Sequence, residues 1–188
     1  MPILKREDDI WPADLLEVES PVLQRADLEW WCVYTLSRRE KDLIRKLAAW
    51  EIPHYAPMIP KRFRSPAGRM RTSFVPLFPN YVFMLADGIM RHQALTSNCI
   101  SRCNAIVEPE PLITDLRQIL NVVEAGEPLT PEARLEPGDR VRVRTGPFRN
   151  YEGTVLRREG KTRLLLSVRY LEQGVSMEID EGVLEPIR

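Results

Sequence analysis

The chain has 188 residues, 27 basic and 27 acidic groups, 44% hydrophobic residues and a formal net charge of zero. That length holds one ordinary domain or two small ones, and the apolar share excludes disorder throughout. The longest apolar runs, such as Leu164–Leu166, are too short to span a bilayer. Acids at Glu7, Asp8 and Asp9 stand where a signal peptide needs its apolar stretch. The three cysteines, Cys32, Cys99 and Cys103, are too few and odd in number for a disulfide scaffold. A soluble chain in a reducing, cytoplasmic compartment is expected.

The neutral total is unevenly spread. Residues 1–29 carry eight acids against three bases, whereas residues 30–126 carry thirteen bases against eight acids. The segment 136–188 is nearly balanced, with ten bases and nine acids. The acidic leader, with its prolines, reads as a flexible N-terminal extension holding one short helix near Pro12–Glu19. From Trp30 to Leu36 the aromatic and β-branched run predicts a strand. Ser37, with Glu40 three residues on, has the spacing of a capping box for a helix that buries Leu43, Ile44 and Leu47 and stops at Pro53. His54–Ile59 and Phe74–Leu85 are the next strands, joined through a hairpin tip at Ser65-Pro66-Ala67-Gly68. A second helix over Met90–Ser97, a strand over Ser101–Val107 and a third helix over Ile113–Glu124 follow. This order predicts an α+β fold, an antiparallel sheet with packed helices. Ala125–Arg134 is Pro-rich and apolar-poor and reads as a linker. Short strands divided by glycine turns then predict a small β-barrel. The expected organisation is a leader at 1–29, a domain at 30–125, a linker at 126–135 and a barrel at 136–188.

Chemistry-bearing constellations are nearly absent. His54 and His92 fall in different elements, and Cys99 and Cys103 lack a third ligand nearby, so no metal site is expected. Gly160-Lys161-Thr162 resembles the end of a phosphate loop, but Val155 stands where the first glycine is required. With no nucleophile–base pair either, the sequence argues against an enzyme and against a cofactor.

The basic hairpin is more informative. No acid occurs between Glu51 and Asp87, while Lys61, Arg62, Arg64, Arg69 and Arg71 cluster around the turn. Such a tip suits phosphate contacts and counterion release; a charged edge guarding against strand aggregation would use the same residues. Arg38 and Arg39 extend the patch, at a helix start where the dipole disfavours cations. The segment Pro76-Leu77-Phe78-Pro79-Asn80-Tyr81-Val82-Phe83 cannot pair fully through its backbone. Its Tyr81, with Tyr34, could border an apolar depression that receives a partner's helices.

Trp31-Cys32-Val33-Tyr34-Thr35-Leu36, the block Ala56–Ile59, the basic hairpin and Pro76–Phe83 together resemble the N-terminal (NGN) domain of the NusG family of transcription elongation factors. The blocks Ala56–Ile59 and Pro76–Phe83 are especially similar to the specialised RfaH-like branch. The tail from Gly138 to Val155 is similar to the KOW motif that follows in that family, with Gly146, Pro147, Phe148 and Gly153 at its turn positions. The resemblance covers about residues 30–188 and implies a ferredoxin-like NGN sheet followed by an SH3-like barrel. It further implies a factor seated on the clamp helices of the largest subunit of bacterial RNA polymerase, holding the clamp closed. The depression would comprise Tyr34, Pro79, Tyr81 and Phe83, supported by Trp31 and by Ile106, with His92 near the position that bridges to the opposite jaw. The cations of the hairpin, with Arg38 and Arg39, would touch non-template DNA, with Phe63 or Phe74 as a stacking group.

In the barrel, the resemblance assigns partner contact to Phe148, Tyr170 and Leu171, the partner being a small-subunit ribosomal protein. Leu171-Glu172-Gln173-Gly174 stands where housekeeping members carry Phe-Gly-Arg, so coupling to the termination factor Rho is not expected and antitermination is expected over termination. Gly146, Pro147, Gly153, Gly160 and Gly174 oppose any helical refolding of the barrel. A monomer with no membrane association is expected. The alternative is a KOW-type RNA-binding or ribosome-assembly protein, which the near-neutral barrel disfavours.

Overall fold

The computed structural model describes residues 7–64, 66, 68–134 and 138–187. The chain divides into two compact units between Pro109 and Glu110. In the first, β1 (Ile10–Trp11) and β2 (Glu29–Thr35) lead to helix α1 (Glu40–Ala49), β3 (His54–Tyr55), β4 (Met58–Arg64), β5 (Met70–Pro76), β6 (Tyr81–Ala86), helix α2 (Gly88–Leu95) and β7 (Ile100–Ala105). One sheet has the order β1-β3-β6-β2-β7, antiparallel at every step. β4 and β5 form a separate two-stranded hairpin. Strand alternation sends Trp31 and Val33 of β2, with Val82, Met84 and Ala86 of β6, to the face that packs on Leu43, Ile44 and Leu47 of α1 and Ala94 of α2. Trp30, Cys32 and Tyr34 point to the opposite face, with Tyr81, Phe83 and Leu85 as their register partners.

Helix α1 buries the three residues its periodicity marks, but its cap differs from the expected box. Ser37–Arg39 are spent on a turn in which Arg39 N–H donates to Leu36 O and Arg38 takes φ 60°. Glu40 therefore does not reach back to the helix start. Its carboxylate, 6% exposed, accepts the Asn80 N–H at 2.7 Å and ties α1 to the turn before β6. The helix ends before Pro53 acts: Glu51 adopts φ 55°, and Ile52 N–H reaches Leu47 O at 2.9 Å, a Schellman closure. The single strand expected over Phe74–Leu85 is broken at Leu77–Asn80, where Pro79 has no N–H to donate and Asn80 takes φ 69°. The tip residues Ser65 and Ala67 lie outside the described residues.

The leader also departs from expectation. Residues 7–29 are folded: β1 pairs with β3, Asp9 accepts from Ala56 N–H through its carbonyl and from Met58 N–H through its carboxylate, and Leu15, Leu16 and Leu28 are buried. The expected short helix is a run of i→i+3 turns from Pro12 to Leu28. Local acid repulsion and two prolines oppose a helix here, yet three leucines and a strand edge supply enough burial and pairing to hold the segment.

The second unit contains helix α3 (Pro109–Glu124), β8 (Leu129–Glu132), β9 (Arg140–Val143), β10 (Glu152–Arg158), β11 (Lys161–Val168), β12 (Gln173–Glu178) and β13 (Leu184–Pro186). Its six-stranded sheet runs β13-β9-β10-β11-β12-β8, antiparallel throughout. It curls strongly enough for Arg158 of β10 to meet Glu132 of β8 at 3.1 Å across two intervening strands. Two expectations shift here. Helix α3 groups with this sheet rather than with the first domain. The stretch read as a linker supplies β8, whose Pro131 is tolerated because β8 is an edge strand. Side-chain chemistry explains both: Asp115 of α3 binds Arg169, and Glu132, 7% exposed, accepts from Arg158 and from Ser176 Oγ at 2.6 Å.

Candidate docking face and nucleic-acid interface

On the sheet face turned away from α1 and α2, exposure rises along β2 and β6. Trp30, Cys32, Phe83 and Leu85 are buried, whereas Tyr34 and Tyr81, which face each other in register, are half-buried. The two rings meet edge to face, with centroids 5.2 Å apart at 72°. Arg102 of β7 stands opposite Tyr34 in register and holds its guanidinium 5.8 Å from that ring. Burial, then the neighbouring Cys32 and Tyr34, push the Tyr81 hydroxyl above its ordinary value, while Arg102 pulls the other way. The hydroxyl is therefore a neutral donor at physiological pH. Burial likewise pushes the Cys32 thiol up to about 12, so it is inert beneath the pair. Pro79 is exposed in the turn just before Tyr81. The result is an aromatic, proline-edged patch with one cation beside it, suited to an amphipathic partner.

Other residues expected in this patch are placed differently. Phe83 is fully buried and Ile106 is 7% exposed, so both support the patch from below rather than present a surface. Trp31 lies on the helix face, where its Nε1–H donates to Ala86 O at 3.1 Å and Arg91 stacks on its ring at 4.6 Å. His92 is exposed on α2, in a row with Ile89 and Leu95, which are 81% and 39% exposed. Arg102 was missed by sequence reading. Its only signal is its place on β7, and an isolated arginine in a short strand does not announce a cation–π partner.

The hairpin β4–β5 carries Lys61, Arg62, Arg64, Arg69 and Arg71 in exposed positions, with Phe63 and Met70 44% and 62% exposed among them. Register pairs Phe63 with Arg71 and Arg64 with Met70. Alternation therefore puts Lys61, Phe63 and Arg71 on one face, and Arg62, Arg64 and Met70 on the other. Each face combines cations with an apolar group, the composition a single-stranded nucleic acid recognises. Phe74 is partly buried and packs against the core, whereas Phe63 is exposed. Arg38 is exposed at the start of α1, whereas Arg39 is paired with Asp42 at 2.7 Å.

A family model described as transcription termination factor nusG matches residues 28–131, more than half of the chain. The chain belongs to the NusG family. A KOW motif matches residues 137–168, in the second unit. The chain is 33% identical over 131 residues to the transcription termination/antitermination protein NusG of Vibrio cholerae, a span that covers 64% of this chain and 70% of that protein. The crystal structure of the MjSpt4:Spt5 complex in conformation B is matched at a TM-score of 0.28 and 14% identity, over 84% of this chain and 96% of that chain. NusG-family membership makes the chain a transcription elongation factor and not an enzyme. Among the described residues no group of histidine, cysteine or acidic side chains could hold a metal, and no helix is long and apolar enough to cross a membrane.

In the NusG KOW unit, Phe148 is 8% exposed and tilts against Tyr151 at 5.6 Å, so it is a packing residue and not a surface anchor. Tyr170 is 44% exposed on the short 3-10 turn Arg169–Leu171, with Leu171 half-buried beside it. The turn closes with Glu172 at φ 53°. Gly153 and Gly174 sit where an added Cβ would lie 2.5 Å from the carbonyl oxygens of Leu165 and Leu166, so the neighbouring strand leaves room for no side chain.

Proposed function

We propose that this NusG-family chain docks on RNA polymerase through the Tyr34–Tyr81 patch and sustains elongation in the antitermination sense at selected operons, as an RfaH-like member of the family. The observation that carries this reading is the half-buried tyrosine pair, edged by Pro79 and Arg102, on the sheet face away from α1 and α2. The clamp helices of the largest polymerase subunit are its intended occupant. The hairpin then reaches non-template DNA, with Phe63 stacking on a base and Lys61, Arg62, Arg64 and Arg71 beside the phosphates. His92 with its neighbours on α2 bridges to the opposite jaw. The turn bearing Tyr170 and Leu171 receives a protein partner, a small-subunit ribosomal protein. The factor acts in the cytoplasm as a monomer, without Rho.

The test is capture of core RNA polymerase by the wild-type chain and by Tyr81→Ala. Truncating a central aromatic anchor at a protein interface costs about 2 kcal/mol or more, so capture should fall at least about 20-fold. An unchanged melting temperature shows that the variant is folded. Equal capture by both chains refutes this docking face, and no capture by either refutes the partner. For the hairpin, replacing Lys61 and Arg71 with Ala should flatten the salt dependence of single-stranded DNA binding by about 0.7 per lost phosphate contact.

A further inference from the structure

We propose that Arg102 selects the partner of the Tyr34–Tyr81 patch by pairing with a carboxylate on the helix that docks there. This inference rests on the docking reading and names the chemistry of its occupant. Register sets Tyr81 of β6, Tyr34 of β2 and Arg102 of β7 in one row across three adjacent strands. The tyrosine rings stand 5.2 Å apart, and the Arg102 guanidinium lies 5.8 Å from the Tyr34 ring, within cation–π range. Arg102 is exposed, and among the described residues no carboxylate pairs with it. Strands β2, β6 and β7 carry one other charged residue, Glu29, and alternation puts it on the face of Trp31, turned towards α1 and α2. On these three strands, the face that bears the tyrosines therefore holds a single cation and no acid.

A guanidinium has donors and no acceptor, so it is an acceptor on the partner that matches it. A wholly apolar partner laid over the row would strip water from this charge and leave it unpaired, a cost that a docked carboxylate removes. The spacing fits one face of a helix. With strands about 4.8 Å apart, the midpoint of the tyrosine pair is about 7 Å from the strand of Arg102. On a helix lying across the strands, residues i and i+4 are about 6 Å apart along the axis and share a face. An apolar residue seated between the rings thus brings an acid one turn away to Arg102. Nucleic acid is the poorer occupant, because neutralising its phosphates takes several cations and this row supplies one.

The test measures capture of core RNA polymerase by the full chain carrying Arg102→Gln or Arg102→Glu, with wild type and Tyr81→Ala beside them. Arg102 is exposed, and unchanged melting temperatures show that both variants are folded. Arg102→Gln should weaken capture at least about 10-fold, and Arg102→Glu, which sets acid against acid, by more. A panel of polymerases in which the acidic residues of the clamp helices are replaced by Lys, one at a time, locates the partner. One member should capture wild type poorly, and Arg102→Glu at least about 10-fold better than unmodified polymerase does. Capture that is unaffected at Arg102 but lost in Tyr81→Ala overturns this inference and leaves the docking reading standing. Capture that survives Tyr81→Ala, or is absent even from wild type, overturns the docking reading and this inference with it. Rescue by no member of the panel overturns the carboxylate. Weakening of oligothymidine binding by Arg102→Glu beyond its effect on polymerase overturns the proposal in favour of nucleic acid.

Discussion

Replacing Leu15 with Ala separates a folded leader from a flexible one. Leu15 is fully buried although its surroundings are acidic and proline-bearing. Removing a buried leucine side chain costs about 2.7–5 kcal/mol, the transfer term plus the cavity left behind. A unit of roughly a hundred residues loses about 4 °C or more per kcal/mol, so the melting temperature of the first unit should drop by at least about 10 °C. Tryptophan fluorescence is the assay of choice, because Trp11, Trp30, Trp31 and Trp50 all belong to that unit and the second unit has none. Val18, three residues away and 75% exposed, is the internal control. Its replacement by Ala should change stability by no more than about 0.5 kcal/mol. If Leu15→Ala melted within about 2 °C of wild type, a shift worth about half a kcal/mol or less, the leader would contribute nothing to the unit and the reasoning would fail.

Other outcomes follow from single contacts. His54 is fully buried, with Nδ1 against Ile52 O at 2.8 Å, and burial holds its pKa below the ordinary 6.5 despite Asp9 nearby. Below 6.5 the unfolded chain takes up a proton that the folded chain refuses, so stability should fall as pH drops beneath that value and be level above it. Urea unfolding from pH 7.5 down to 5.5 measures this, and His54→Gln should flatten the slope. Glu40→Ala leaves the Asn80 N–H without its acceptor and should cost about 1–3 kcal/mol by the same unfolding measurement. In the second unit, Gly153→Ala and Gly174→Ala force a Cβ onto backbone oxygens that cannot move aside. They should destabilise far more than Gly160→Ala, which meets open space at φ +74° and costs only about 1 kcal/mol. Calorimetry that ranked Gly160→Ala first would overturn this.

Elements with strong periodicity were legible in the sequence. The alternation of Trp30–Leu36 and the i, i+4 stripe of α1 each specify one buried face, and local pattern and tertiary packing agree there. The glycine-divided strands of the second unit were equally plain. What escaped depends on partners distant in sequence. Glu40 looked like half of a capping box because its true partner, the Asn80 N–H, is 40 residues away. The strand β8 was hidden by Pro131, whose cost an edge position removes. The leader's leucines were outweighed by its acids in any compositional reading. At the candidate site, Tyr34 and Tyr81 could be foreseen from strand alternation alone. Which aromatics remain reachable could not, because Phe83 shares their face and differs only in what covers it.

The hairpin is not a continuation of the main sheet, and that makes it a lever. It is joined to the body at Met58 and Pro76, with Leu77 N–H on Pro57 O at 2.7 Å as the hinge pin. Its seven-residue strands reach about 23 Å from that joint. A rotation of about 15° there swings the tip by about 6 Å, close to one nucleotide step, without stretching any bond in the arm. Pro57, Met58 and Leu77, which lie at this fulcrum, are buried. On the proposed reading, changes there should move the hairpin's footprint on a nucleic acid while leaving its charge untouched.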